Sequence, residues 1–544
     1  MNLPVSEPAS DSEIRQKRRR RLRWWTRLSL LLTPALVFLA LSTTRLNLQG
    51  LYYDELHQAP AAFVYLGSPP QFFSFTALGY PVLNMAYSGA VKSAVYGMYL
   101  RLIDPHFTVT SWRLTGILFV VVSLLAFAPL ASLRLSAQSL AVALALLLTD
   151  TTFVLTVRHD WGPAALAFAL RLLMIGVWVK SESALRPSLG SSFVIGAITG
   201  FAAFEKLSSI VLIGPLLLIC LSRAERRVAH MLAGMAGLLL GMLPLIVLNV
   251  ASFVARGELV SLSNPAPPVE RSWSGFMQYG SDMLALGAGD LAKEFILGTQ
   301  PPLIARLLEA PLLLGALLLG GTVALRVGRV PAASRLALTS IACYVGVAAL
   351  LFFLPRSTWI HHWVLATPYH YLAIGFALDA MRHGTARWLK RSLQLIVCAL
   401  LLVRLGSAVS LQLGFVRGEA SEAFRPALTE LGRFAASQRD EAFVIAVEWG
   451  LATQIYCLAD GTPNFVYEPF WTYRGPEDLL KIQKQSGRRL LYAIDPLRTV
   501  VGRGPTILKD LRDSSHWQEL PPEPQGTKFT GIEIRKYLFS GETR

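Results

Sequence analysis

Residues 28–60 read LSLLLTPALVFLALSTTRLNLQGLYYDELHQAP, an apolar stretch followed by two adjacent carboxylates. The apolar part, 28–41, follows a basic run, and this order is typical of an uncleaved signal anchor. Asp54 and Glu55 stand just beyond it, among tyrosines and a histidine. Charges in this place are either solvated residues at a membrane boundary or groups that perform chemistry.

The composition indicates a polytopic membrane protein. Of the 544 residues, 53% are hydrophobic and 16% are charged, and the mean hydropathy is +0.45. A soluble protein carries roughly 25% charged residues. The apolar residues come in blocks of about twenty, which is the length that crosses a hydrocarbon core. The four cysteines give no disulfide framework.

The net charge of +16 reports membrane topology. Eight basic residues lie between Arg15 and Arg27, directly before the first apolar block. Basic residues collect on the cytoplasmic side, where anionic lipid head groups are their partners. We therefore expect residues 1–26 to be cytoplasmic, and we expect no nucleic-acid partner.

Eleven crossings are predicted. They cover about 27–45, 112–133, 137–156, 162–180, 191–204, 207–222, 228–253, 303–325, 334–354, 361–381 and 391–414. Basic clusters occupy every second loop, so the N-terminus is expected inside and the C-terminal segment outside. Segments 46–111 and 254–302 are then external, and the first is expected to hold short helices near 53–66 and 81–102.

The chain changes character at its C-terminal end. Alternating or continuous apolar runs at 441–450, 490–495 and 530–539 predict strands separated by turn signals. The predicted fold is thus an α-helical transmembrane domain over 27–415, followed by an extracytoplasmic α/β domain over 418–544.

Ionisable side chains converge on the predicted outer face. They are Asp54, Glu55, His57, Lys92, Arg101, Arg113, Arg158, His159, Asp160, Lys206, Arg356, His361 and His362. Basic groups there can bind a phosphate, while the spans offer a lipid tail an apolar groove. If 54–58 is helical, Asp54 and His57 share a face and Glu55 is rotated away by about 100°. The two carboxylates then serve different partners: one accepts a proton, and the other orients a substrate or joins a structural ion pair.

Sugar transfer from a lipid phosphate fits these groups. The leaving phosphate develops charge that basic side chains stabilise, whereas the acceptor hydroxyl needs a carboxylate base. Attack opposite the phosphate inverts the anomeric configuration. No nucleotide-binding motif is present in the sequence.

The chain resembles the GT-C membrane glycosyltransferases, in particular glycosyltransferase family 39, the protein O-mannosyltransferase and aminoarabinose-transferase group. The resemblance covers about 27–415. It is carried by YYDE, GYPVLNMAYSGAVKSAVYG (79–97), RHDWGP (158–163) and FEKLS (204–208).

The resemblance implies roles for individual residues. Asp54 would be the catalytic base, with Glu55 beside it and Asp160 as the second acidic position. Lys206 matches the donor-phosphate position, although this chain has Glu-Lys-Leu-Ser where relatives often have Thr-Lys-Gly-Pro. The resemblance also implies a polyprenyl-phosphate sugar donor, a hydroxyl acceptor and no obligatory metal, although some GT-C relatives need a divalent cation.

Further residues of the outer-face group complete the predicted site. Arg158 and Lys92 are expected to bind the donor phosphate together with Lys206. Tyr53, His57 and His361 are expected to contact the substrate.

Simpler structural roles stay open for several of these residues. Asp160 could pair with Arg158 or cap the following helix, and Lys206 could pair with Glu205. Lys92 could bind only the end of a helix.

Rival functions also stay open. A lipid-linked polysaccharide polymerase or ligase shares the donor chemistry. A transporter or flippase of lipid-linked sugars would need charged or broken helices at mid-membrane, whereas these spans are mostly free of charge. A non-enzymatic envelope scaffold is the third alternative. The Ala-, Leu- and Arg-rich composition is typical of a bacterial inner-membrane protein.

Overall fold

The computed structural model describes most of the chain. The described residues are 29, 32–72, 75–183, 187–223, 226–262, 271–328, 332–354, 358–469, 473–496, 504–521 and 531–540. The basic N-terminal run and Arg356 lie outside the described residues.

The described part is mainly helical. In chain order the helices are α1 (Leu32–Thr43), α2 (Tyr53–Leu56), α3 (Val91–Leu102), α4 (Val109–Ala131), α5 (Ala137–Leu148), α6 (Thr151–Arg158), α7 (Ala164–Ser181), α8 (Leu189–Glu205), α9 (Ile213–Ser222), α10 (Arg227–Gly241), α11 (Leu243–Arg256), α12 (Trp273–Ala285), α13 (Asp290–Leu297), α14 (Leu303–Val327), α15 (Ala332–Phe352), α16 (Ile360–Trp363), α17 (Tyr369–Ala380), α18 (Arg387–Arg417), α19 (Pro426–Ser437), α20 (Leu451–Leu458), α21 (Pro476–Ser486) and α22 (Gly504–Asp513). The strands are β1 (Phe75–Ala77), β2 (Tyr80–Met85), β3 (Ser88–Gly89), β4 (Ala442–Ala446), β5 (Val466–Tyr467), β6 (Leu490–Asp495), β7 (Trp517–Leu520) and β8 (Glu533–Phe539).

The chain is a multi-pass membrane protein. Five helices of the described part, α4, α7, α14, α15 and α18, are long and apolar enough to cross a membrane. The number is up to seven if the pairs α5–α6 and α10–α11, bent by 61° and 63°, each count as one span. The eleven predicted crossings remain a prediction.

The expected helix over 81–102 is wrong in its first half. Residues 75–89 form a small antiparallel sheet in the order β1-β2-β3, and α3 begins only at Val91. Gly79 has a positive φ and lies at the turn between β1 and β2, a backbone conformation that glycine adopts without strain. The hairpin therefore replaces the first turns of the expected helix.

Glycines bring α8 and α10 into backbone contact. A Cβ atom at Gly200 would collide with the carbonyl oxygen of Leu238, and one at Gly241 would collide with that of Ala197. Gly196 and Gly237 lie four residues before these two glycines, which gives the small-xxx-small spacing of close membrane-helix pairs. This contact fixes α8, whose C-terminal end precedes Lys206.

Charged groups lie inside the helical bundle. Arg404 of α18 donates through Nε to Glu309 Oε1 of α14 at 2.7 Å, and both side chains are fully buried. Arg404 also contacts Tyr371, which donates to Asp150 Oδ2 at 2.6 Å at the break between α5 and α6. The spans are therefore not entirely free of charge, and each of these charged groups has a partner on another helix.

The C-terminal segment contains a five-stranded sheet in the order β5-β4-β6-β8-β7. Strands β4, β5 and β6 are parallel, while β8 runs antiparallel to β6 and β7. Separate apolar clusters cover its two faces. The strands predicted at 441–450, 490–495 and 530–539 are confirmed as β4, β6 and β8.

The α8–α10 contact gives a stability prediction. We expect Gly200→Ala to cost about 1–3 kcal/mol, because the added methyl group forces the two backbones apart. Gly280→Ala in α12 is the matched control, since a Cβ there meets nothing within 4 Å. The control should leave the apparent melting temperature of the detergent-solubilised protein unchanged or slightly higher. Equal melting temperatures for the two variants would contradict the close-packing account.

Candidate active site

Asp54 lies in the first turn of α2, beside the turn that joins α6 to α7. Its Oδ2 accepts a hydrogen bond from Trp161 Nε1 at 3.3 Å, and its backbone oxygen accepts one from the N–H of Gly162 at 3.3 Å. The side chain is partly exposed. Burial raises the pKa of Asp54 to about 6, although Trp161 and the charge of Lys206 oppose the shift. Asp54 is thus a carboxylate at neutral pH, and a stronger base than an ordinary aspartate.

Lys206 is the single extended residue that joins α8 to the short helix Leu207–Leu212. Its extended backbone bridges to Ser88, and its ammonium donates to the carbonyl oxygens of Gly162 and His361. Burial lowers the pKa of Lys206 to about 7. The carboxylates of Asp160 and Asp54 oppose this shift and Arg171 adds to it. Among the described residues, the ammonium of Lys206 binds these backbone oxygens and forms no ion pair with Glu205.

Asp160 pairs with Lys92. Lys92 Nζ lies 2.6 Å from Asp160 Oδ2, both side chains are buried, and the ammonium lies 3.7 Å from the ring centre of Trp112. Asp160 Oδ1 accepts a hydrogen bond from the N–H of Ala165 at 2.7 Å in the first turn of α7. Pro163 is the N-cap residue of α7, so Asp160 binds the first turn of the helix without occupying the expected cap position. The expected pairing with Arg158 is wrong because Arg158 points elsewhere.

Arg158 holds the end of α1. Its guanidinium donates to the backbone oxygens of Ser42, Thr44 and Arg45 and to Gln49 Oε1, at 2.8–2.9 Å. Cationic side chains stabilise helix C-termini in this way. Most of the donors of Arg158 are therefore engaged within the fold, as is the ammonium of Lys92. Their donor-phosphate role stays a prediction.

Glu55 faces away from Asp54 and forms a buried ion pair. Arg113 Nε and Nη2 donate to its two carboxylate oxygens at 2.6 and 2.8 Å. Burial raises the pKa of Glu55, but Arg113 outweighs it and holds the pKa at about 2. Arg113 also donates to the backbone oxygens of Leu46, Gln49 and Gly50. The second carboxylate was expected either to orient a substrate or to join a structural ion pair. The geometry of Glu55 is that of the structural ion pair.

The expected substrate-contacting residues surround Asp54. The ring of Tyr53 packs against that of Trp449 with centres 4.1 Å apart. His57 Nδ1 lies 3.0 Å from the backbone oxygen of Asp54, and its buried Nε2 has no partner in the described part of the chain. The ring of His361 lies 5.3 Å from that of Trp161. Burial lowers the pKa of His57 to about 4, so its ring is neutral at physiological pH.

The described residues contain no group of three or more His, Cys, Asp and Glu side chains that could hold a metal ion.

Arg171 is a cation that the sequence prediction missed. It lies in α7, its side chain is 1% exposed, and its Nε and Nη1 have no hydrogen-bond partner among the described residues. The ring centre of Phe168 lies 4.6 Å from its guanidinium carbon. The sequence feature that could have identified Arg171 is its position inside the apolar span 162–180, because a charge in a membrane helix usually has a function.

The C-terminal sheet also reaches the site. The loop after β4 places Trp449 on Tyr53, and the Gly450 backbone lies so close that a Cβ would collide with the Tyr53 side chain. Glu468, which follows β5, accepts a hydrogen bond from the N–H of Gly450 at 2.7 Å. This contact could not be predicted from local sequence patterns, because it joins residues about 400 positions apart.

The adjacent carboxylates give different stability predictions. We expect Glu55→Gln to lower the free energy of unfolding by about 3–5 kcal/mol, because the buried Arg113 loses its counter-charge. Asp54→Asn should leave the melting temperature nearly unchanged, because it removes a charge that burial disfavours. Thermal unfolding of the purified variants, followed by tryptophan fluorescence, tests both. A similar loss in the two variants would contradict the assignment.

Comparison with known proteins agrees with this architecture. No family model and no curated protein matches the chain. Among solved structures, it is similar to ArnT from Cupriavidus metallidurans bound to undecaprenyl phosphate, with 14% identity and a TM-score of 0.56. The match covers 93% of this chain and 97% of that chain. The oligosaccharyltransferase AglB from Archaeoglobus fulgidus, in complex with an inhibitory peptide and a dolichol-phosphate, also matches, with 10% identity, a TM-score of 0.46 and coverage of 87% and 70%. The ArnT likeness shows that the chain shares the fold of that membrane protein, as the resemblance to the GT-C membrane glycosyltransferases predicts.

Proposed function

We propose that this protein transfers a sugar from a polyprenyl-phosphate carrier to a hydroxyl acceptor, with inversion at the anomeric carbon. The observation that carries the proposal is the partly exposed Asp54 carboxylate, held by Trp161 and close to the buried cation Lys206. A base and a phosphate-binding cation are the two groups that such a transfer needs. The undecaprenyl phosphate bound to ArnT supports a polyprenyl-phosphate donor.

Asp54 acts as the general base. Its carboxylate takes the proton of the acceptor hydroxyl while that oxygen forms a bond to the anomeric carbon. The bond from this carbon to the phosphate oxygen breaks, and the electron pair stays on the phosphate. With a pKa of about 6, protonated Asp54 then releases the proton to solvent at neutral pH.

Lys206 and Arg171 stabilise the leaving phosphate. Lys92 and Arg113 are already paired with Asp160 and Glu55, so they offer the phosphate little free charge. The donor phosphodiester carries one negative charge, and the leaving phosphomonoester approaches two. Two cations without a dedicated carboxylate partner match this increase, so the proposed mechanism assigns no obligatory role to a metal.

The proposed location is the outer face of a bacterial inner membrane. We propose eleven crossings, a cytoplasmic N-terminus and an extracytoplasmic α/β domain over 418–544. The basic residues in alternate loops support this topology. The contact between Trp449 and Tyr53 supports a position of the C-terminal sheet on the same side as Asp54.

The first test is mass spectrometry of envelope glycolipids, glycans and glycoproteins. Cells carrying wild-type protein, Asp54→Asn protein or no protein are compared, with membrane abundance measured in parallel. One glycoform should vanish equally in the mutant and the deletion, because both lack the base. Asp513→Asn, which changes an exposed carboxylate, is the matched control and should behave as wild type.

The outcomes of this test separate the rival functions. The missing mass identifies the sugar and the acceptor, and loss of a long polymer would instead indicate a polymerase or ligase. A well-folded Asp54→Asn protein that matches wild type in every fraction would refute the role of Asp54. It would favour a transporter or a scaffold.

The pH dependence of kcat/KM tests the proposed roles of Lys206 and Arg171 together. Because Asp54 must be unprotonated and Lys206 protonated, we expect kcat/KM to rise through about pH 6 and to fall above about pH 7. Arg171→Gln removes a like charge, so the pKa of Lys206 rises and the alkaline limb moves to higher pH. The same variant should raise the KM for the donor roughly tenfold.

The control is Arg101→Gln, which makes the same change at an exposed position of α3. A merely structural Arg171 would lower kcat without moving the alkaline limb, and that result would exclude the phosphate-binding role.

The purified enzyme is assayed with the donor that the missing glycoform identifies, with and without EDTA. Equal rates are expected in both.

A further inference from the structure

A groove separate from the Asp54 site lies between α13, the segment 299–302 that joins α13 to α14, and α18. It encloses a cavity of about 490 Å³. One wall is polar and includes Lys293, Gln300 and Ser410, while the other presents Val409 and Leu413 of α18. The groove therefore joins a hydrogen-bonding half to an apolar half, as an amphiphilic ligand requires.

The polar half carries a buried cation. The side chain of Lys293 is 3% exposed, and its ammonium donates to Ser410 Oγ at 2.9 Å and to the Gln300 backbone oxygen at 3.3 Å. An ammonium has three donors, so one hydrogen is left for a ligand. Arg417 stands on the rim with an exposed side chain, 3.8 Å from Glu419. Two cations and one carboxylate give this half a net charge of +1, which matches one phosphodiester.

The apolar half faces the lipid. Val409 and Leu413 are about half exposed and lie on a membrane-spanning helix. Their exposed surface therefore faces lipid tails. Arg417 ends α18 and precedes the C-terminal sheet, which packs on Tyr53. The groove thus opens on the side of the membrane where Asp54 lies, at the level where phospholipid head groups meet their tails.

We propose that this groove binds the head-group phosphate of an anionic phospholipid, with Lys293 and Arg417 as its cations and Val409 and Leu413 against its tails. A water-soluble phosphate would gain nothing from the apolar wall, and a neutral lipid would leave the net positive charge unmatched. The proposal does not depend on the transfer reaction.

The bound lipid also stabilises the candidate active site through α13. Lys293 and Phe295 are two residues apart, so they point to opposite sides of this helix. Phe295 stacks on Trp161 with ring centres 4.7 Å apart, and Trp161 donates to Asp54. A lipid on Lys293 therefore holds the helix that supports the indole of Trp161.

Native mass spectrometry of the full-length protein in detergent tests the proposal. Phosphatidylglycerol is the probe, and phosphatidylcholine, inorganic phosphate and undecaprenyl phosphate are added in parallel titrations. We expect one phosphatidylglycerol per chain at concentrations where phosphatidylcholine does not bind. Lys293→Met combined with Arg417→Gln should lower its occupancy at least fivefold and abolish the rise in melting temperature that the lipid gives wild type.

The variants separate folding from binding. Arg417→Gln alone changes an exposed side chain, so it tests the groove even if the double variant unfolds. Arg256→Gln, an exposed arginine at the end of α11, is the matched control and should bind as wild type. Asp54→Asn should also bind as wild type, which keeps the result independent of the transfer reaction.

Three results would overturn the proposal. They are equal binding of phosphatidylglycerol and phosphatidylcholine, unchanged occupancy in Arg417→Gln and the double variant, and displacement of the lipid by inorganic phosphate or undecaprenyl phosphate at equal concentration. Displacement by inorganic phosphate would indicate a soluble anion site, and displacement by undecaprenyl phosphate would assign the groove to the carrier.

Discussion

The buried ion pair of Arg113 and Glu55 fixes the direction of Asp54. Arg113 belongs to α4, and it holds both carboxylate oxygens of Glu55 while binding three backbone oxygens of the segment before α2. Since adjacent residues on a helix point about 100° apart, anchoring Glu55 inward turns Asp54 toward Trp161. An ion pair so thoroughly desolvated persists only because every donor of the pair finds an acceptor.

The remaining charges separate into paired and unpaired ones, and this separation defines the site. Lys92 and Asp160 neutralise each other while joining α3 to the start of α7. The Arg404–Glu309 pair does the same inside the bundle, which shows that charge within a span can be structural. Arg171 differs because it is equally buried and yet lacks an acidic partner among the described residues. An uncompensated guanidinium is costly in an apolar layer, so it indicates a place for an anion.

Local patterns were readable from the sequence, whereas long-range partners were not. The helical turn at Asp54 and three C-terminal strands follow from spacing and turn residues within a few positions. The partner of Asp160 was expected two residues away, at Arg158, but is Lys92, 68 residues away. The hairpin before α3 was missed because Tyr80–Met85 is too short for its apolar pattern to separate strand from helix.

The site is bounded by both parts of the chain. Strand β4 lies between β5 and β6 in the parallel part of the sheet, and open α/β sheets bind ligands beyond the carboxyl ends of such strands. The loop that leaves this end of β4 is the one that places Trp449 on Tyr53. Tyr53 directly precedes Asp54, so the sheet edge suited to a ligand and the carboxylate suited to a base share one wall. A substrate that reaches Asp54 past this wall meets the indole of Trp449 and the charges of the helical domain together.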